Sequence, residues 1–128
     1  MSLVTAKEIL SDARKQHYAV PAFDVSDYRM AKAVVEMSEK MHAPVILMGL
    51  TGDTTSDQFD HLSIALHSIA LNASIPVCTH LDHAVNMEDI KKAIHQGYSS
   101  VMIDGSSLPL QENIRITKEA VDYAHSYG

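Results

Sequence analysis

His80-Leu81-Asp82-His83 places two imidazoles and a carboxylate within four residues. Neutral imidazole is the commonest zinc ligand, and a carboxylate can take or return a proton. If this segment is a strand, two-residue alternation sets His80 and Asp82 on one face. His83 then falls where the chain turns and can reach a metal above the strand end. The competing reading is a hydrogen-bonded core histidine beside an aspartate that closes a loop. Two further carboxylates end similar apolar runs. Asp24 closes Val20-Pro21-Ala22-Phe23, and Asp104 closes Ser100-Val101-Met102-Ile103. Charge at the end of an apolar segment is costly unless it is paired or coordinates something, so carboxylates repeated at one rim mark a candidate site.

The remaining histidines read as structural. His17, His42, His95 and His125 fall near expected helix ends, where a cation favours the C-terminal dipole. His61 and His67 have ordinary exposed helical spacing. Cys78 sits mid-strand without an activating neighbour and reads as a packing residue. Gly49-Leu50-Thr51-Gly52 could approach a phosphate but matches no established phosphate-loop pattern.

These residues need elements to position them. Thr5-Ala6-Lys7-Glu8 is a capping box, opening a helix that runs to about Lys15. Four units follow, each a short apolar run and then an amphipathic segment. The runs are Val20–Val25, Pro44–Met48, Pro76–His83 and Ser100–Asp104. The helical stripes are Met30, Ala33, Val34, Met37 and Met41; then Leu62, Leu66, Ile69 and Ala70; then Met87, Ile90 and Ile94; then Ile114, Val121 and Ala124. The methionines of the first stripe are expected to be core packing. Asn86 caps the third of these helices, and Pro109 suits the first turn of the fourth. Strands alternating with helices imply an α/β fold with a parallel sheet. Four units fit either a small doubly wound sheet or half of a (β/α)8 barrel. In both, reactive groups gather at the C-terminal strand ends.

The 128 residues carry a net charge of −6 and only five Gly and four Pro, which describes one globular domain. The acidic balance excludes nucleic acid as a main partner. A single cysteine allows no intramolecular disulfide. No apolar run is long enough for a membrane span, and the N-terminus lacks a signal-peptide pattern, so the expectation is a cytoplasmic protein with no membrane partner.

Tyr18–Val25 resembles the first-strand segment of the class II, zinc-dependent ketose-bisphosphate aldolases. His80–His83 is similar to their third-strand motif. Ser100–Ser106, with Leu108-Pro109 and Glu112-Asn113-Ile114, is similar to their fourth-strand segment. The likeness runs in order over essentially the whole chain and is greatest to the fructose- and tagatose-bisphosphate branch. It implies that residues 1–128 form the N-terminal half of a (β/α)8 TIM barrel. It also implies reversible cleavage of a phosphorylated ketose to dihydroxyacetone phosphate and glyceraldehyde 3-phosphate, in a homo-oligomer. By this resemblance zinc is the Lewis acid, His83 is a zinc ligand and Asp82 is the acid/base at the C4 hydroxyl. Asp104 is a carboxylate near a second metal position, and Asp24 contacts substrate.

The sequence departs from the family at Asp24, where Asn is common, and at Ala84, where Gly is frequent. The family's second half supplies two more zinc histidines, a proton-abstracting glutamate and the phosphate sites. On that reading the isolated chain is expected to be inactive and not a well-behaved monomer. The alternative function is a non-catalytic half-barrel that serves folding or interaction.

Overall fold

The structure is a computed structural model that describes residues 2–49 and 54–128. The Gly49–Gly52 motif therefore lies mostly outside the described residues. The elements are α1 (Ala6–Gln16), β1 (Ala22–Val25), α2 (Tyr28–Lys40), β2 (Val45–Gly49), α3 (Asp57–Asn72), β3 (Val77–Ala84), α4 (Met87–His95), β4 (Ser100–Ile103) and α5 (Leu110–His125). Thr5 and Glu8 form the expected capping box of α1. Asn86 caps α4 by accepting from the Asp89 N–H at 3.0 Å. Pro109 is the N-cap of α5, one residue ahead of the first turn. His17 caps α1 in the left-handed conformation, and His95 and His125 end α4 and α5.

All four strands are parallel and lie in the order β1-β2-β3-β4. This removes the doubly wound alternative, which needs a reversal of strand order. Right-handed crossovers between strands laid down in sequence put every connecting helix on the same face. The result is a half-barrel with α2 to α5 outside and the other sheet face open. Strand burial fits: Val45, Leu47 and Gly49 are buried on the helix side, while Ile46 and Met48 between them are only half-buried. The preceding segment ties in at the start of β3, where Val77 N–H donates to Ser2 O at 2.7 Å and Val4 N–H to Val77 O at 2.9 Å.

The core lies between β2, β3 and their helices. Phe59, Leu47, Leu66 and Ile90 are its largest fully buried side chains. Leu62, Leu66 and Ala70 face inward from α3 as expected, and so does Ile90 from α4. Cys78 is buried, as expected for a packing residue. The phenol ring of Tyr98 stacks on Phe59 at 5.9 Å. It lies over Gly49, where an added Cβ would stand 2.3 Å from the Tyr98 hydroxyl, so glycine is required for that close approach.

Two helical faces differ from the sequence expectation. On α2 the buried residues are Ala31, Val35 and Ser38, whereas Met30, Met37 and Met41 are exposed. Ala31, Val35 and Ser38 thus form the core-facing side of α2, and the methionines lie on its solvent side. On α5 only Ala120 is fully buried, while Ile114 and Val121 are exposed. His67 is also not simply exposed: its Nδ1 lies 3.2 Å from Gly97 O, joining α3 to the turn before β4. No described helix is long and apolar enough to cross a membrane.

Candidate active site at the strand ends

The cluster at the end of β3 depends on a backbone irregularity. Leu81 pairs with Val101 and Ala84 with Ile103, so three steps along β3 match two along β4. The additional residue makes a bulge, and His83 within it has a φ of 50°. A bulge re-aims side chains that regular alternation would send to opposite faces. Here it brings Asp82 and His83 together. His80, one alternation earlier, shares their neighbourhood.

The distances define a chain of contacts. His83 Nδ1 lies 2.7 Å from Asp104 Oδ2, while His83 Nε2 lies 3.7 Å from Asp82 Oδ2. The other Asp82 oxygen is 3.7 Å from His80 Nε2. His80 Nδ1 is 2.7 Å from Ser100 Oγ on the neighbouring strand. Asp104 itself is placed by its N–H, which donates to Ala84 O at 2.8 Å, and by the Ser106 N–H, which donates to Asp104 Oδ1 at 2.9 Å.

Each contact has an electrostatic consequence. The Ser106 hydrogen bonds and the His83 imidazole hold the Asp104 carboxyl far below the usual carboxylate range. Because that carboxylate only accepts, the Asp104 contact sets the proton on His83 Nδ1. Nε2 is then the lone-pair nitrogen of the neutral ring. The Asp104 hydrogen bond also raises the His83 pKa, with the charges of Asp82 and Asp24 adding to it. Burial pushes the His80 pKa down, against the pull of Asp82. His80 thus takes the hydrogen-bonded role foreseen for it, but toward Ser100, while Asp82 stands between the two imidazoles.

Of the four residues singled out in the sequence, Asp82, His83 and Asp104 are joined by direct contacts. Asp24 stands at the end of β1, exposed, with its charge felt at His83. Sequence reasoning missed Ser100 and Ser106. Their roles depend on strand register and on the turn after β4, although the serine directly following Asp104-Gly105 was a readable turn signal.

The imidazole of His83 fits a zinc ligand, since a carboxylate on one ring nitrogen orients the other. Among the described residues, however, no group of three or more His, Cys, Asp or Glu is arranged to hold a metal ion. One oriented ligand is what this part of the rim provides.

Residues 4–128 match the family model for fructose-bisphosphate aldolase class-II. The chain belongs to the class II fructose-bisphosphate aldolase family. The YdjI aldolase from Escherichia coli K12 is 38% identical, with a TM-score of 0.90 over 97% of this chain and 47% of that one. A putative fructose-1,6-bisphosphate aldolase from Coccidioides immitis is 30% identical, with a TM-score of 0.88 over 96% of this chain and 48% of that one. The fructose-bisphosphate aldolase of Campylobacter jejuni shares the fold, with a TM-score of 0.74 at 22% identity over 96% of this chain and 45% of that one. The chain thus spans about half the length of the class II aldolase structures it matches.

Proposed function

We propose that this chain carries the first half of a zinc-dependent class II aldolase site acting on a ketose 1,6-bisphosphate, either fructose or tagatose. The observation that supports it is the placement of Asp82 between His80 and His83, with Asp104 orienting His83. In the cleavage direction the Asp82 carboxylate takes the proton of the substrate C4 hydroxyl. The C3–C4 bond breaks, and the C4 oxygen becomes the carbonyl of glyceraldehyde 3-phosphate. The bonding electron pair stays with the three-carbon phosphate fragment, which leaves as dihydroxyacetone phosphate after gaining a proton at C3. His83, oriented by Asp104, would supply one zinc ligand through Nε2. Zinc, when bound, supplies a Lewis acid that polarises the substrate carbonyl. Asp104 fixes the His83 ring and would serve as a carboxylate for a second metal, and Asp24 would offer a polar contact to substrate.

A catalytic zinc site needs three protein ligands, so this function requires donors beyond those described. The second reading is a half-barrel that folds and associates without catalysis. The two are separated by joining this chain to the second half of the E. coli relative, then measuring zinc content and cleavage of both ketose bisphosphates. Zinc at about one per barrel with turnover supports the aldolase reading. A folded hybrid that binds no zinc and cleaves neither sugar supports the non-catalytic one.

A further inference from the structure

We propose that the outer face of α3 is a self-association surface, on which a second copy of this chain lays its own α3 antiparallel about a twofold axis. α3 buries Phe59, Leu62, Ser63, Leu66 and Ala70 toward the core. His61, Ile64, Ser68 and Leu71 lie on its opposite, exposed side. Ile64 is 67% exposed and Leu71 53%. These four are spaced three, four and three residues apart, the seam that one helix offers another. The exposure does not come from an end of the sheet. α3 connects β2 to β3, the two central strands, and so lies between α2 and α4. It is tied to the α4 side by Asp60, whose Oδ1 lies 2.7 Å from Lys92 Nζ and accepts from Gln96 at 2.6 Å. The same face lacks charge. From His61 to Leu81 there is no Asp, Glu, Lys or Arg. The exposed sides of α2, α4 and α5 instead carry ion pairs, Lys32 with Glu36, Lys91 with Glu88 and Lys118 with Asp122. Depletion of charge around exposed apolar side chains is the mark of an interface core.

The charge pattern selects a second copy as the occupant. Each copy carries a net charge of −6, so two copies repel each other except where charge is missing. A basic partner would be drawn to the acidic surfaces instead. The stripe is also complementary to itself. With a twofold axis at the level of Leu66, Ile64 of one copy faces the small Ser68 of its mate, and His61 faces Leu71. The antiparallel arrangement keeps Asp57 and Asp60, in the first turn of α3, away from the same residues of the mate. Between α2 and α3, a groove of about 270 Å³ borders the stripe at Ser68 and Asn72 and is lined in part by Tyr28, Val35, Ile69 and Ala73. It widens the contact from one helix to two. The inference uses charge and packing alone and does not rest on the aldolase reading.

Site-specific cross-linking of the 128-residue protein tests it. Ser68→Cys treated with a short bismaleimide should give a covalent dimer of twice 14.1 kDa. Lys118→Cys, on the exposed side of α5, should give none. Cys78 is buried and does not compete for the reagent. Adding Leu71→Asp to Ser68→Cys should abolish the cross-link. Leu71→Asp alone should halve the mass found by sedimentation equilibrium. Leu71 is exposed, so the far-UV circular dichroism of that variant should match wild type. Should it unfold, Ser68→Arg, which puts charge at the centre of the contact, takes its place in the mass measurement. No cross-link at Ser68, equal cross-linking at Ser68 and Lys118, or a folded variant of unchanged mass would each overturn the proposal. So would a Ser68 cross-link that forms only when a different protein is added.

Discussion

His83 holds a backbone conformation that a side chain other than glycine adopts at a cost. Its φ of 50° lies in the left-handed region, where an L-residue is disfavoured by roughly 1–2 kcal/mol. Strain of this kind persists where the side chain is needed. His83→Gly should therefore be more stable than His83→Ala by about 1 kcal/mol in urea unfolding, since both lose the imidazole and differ chiefly in backbone preference. Equal stability of the two variants would mean that the bulge relaxes when histidine is absent. Asp82 and His83 were legible because they are adjacent in the chain and of types that do chemistry. The bulge was not, because it arises from a mismatch in register between β3 and β4. The His80–Ser100 contact was hidden for the same reason: 20 residues separate the partners, and only strand pairing brings them together.

Helix starts were the most readable elements, because a cap is a local arrangement of a few residues. Thr5→Ala should cost about 1 kcal/mol of stability by removing the side-chain acceptor for the Glu8 N–H, measurable by thermal unfolding. Helix faces were less readable. On α2 the methionines outweigh Ala31 and Ser38 in any apolar count, yet the methionines are exposed and Ala31, Val35 and Ser38 are buried, because apolar spacing alone does not tell which side of a helix meets the core. The end of α2 also carries a pH-dependent contact. Glu39 Oε1 accepts from the Ser74 N–H at 2.7 Å and from its hydroxyl at 3.0 Å, and these bonds lower the Glu39 pKa from its ordinary 4.5. A lowered folded-state pKa gives stability that is present above pH 4.5 and is lost as pH falls through the folded value. Glu39→Gln removes the titration but keeps an acceptor. The stability gap between wild type and Glu39→Gln should therefore be widest near neutral pH and narrow below pH 4.5 in parallel thermal melts. A gap that does not change with pH would contradict this assignment.

At the scale of the whole molecule, the parallel α/β order followed from alternating apolar runs and amphipathic segments. Choosing a half-barrel over a doubly wound sheet needed the strand order itself, because both architectures use the same local pattern. The packed part of the half-barrel is centred on β2 and β3. Leu47→Ala, a truncation at a fully buried site on β2, should cost about 2–5 kcal/mol, read as a lower urea midpoint with an unchanged slope. The open inner face instead leads to a rim where Asp82, His83 and Asp104 are in contact, and the account's central claim is that this rim divides its work. In the proposed function Asp82 would move a proton and His83 would hold zinc. Paired Asp82→Ala and His83→Ala variants of the barrel completed with the E. coli second half test that division most directly, with kcat and bound zinc measured on the same samples. The account predicts that Asp82→Ala keeps its zinc while kcat falls by about 10²–10⁴, and that His83→Ala loses the zinc. Near-normal turnover without Asp82, or full zinc without His83, would contradict it.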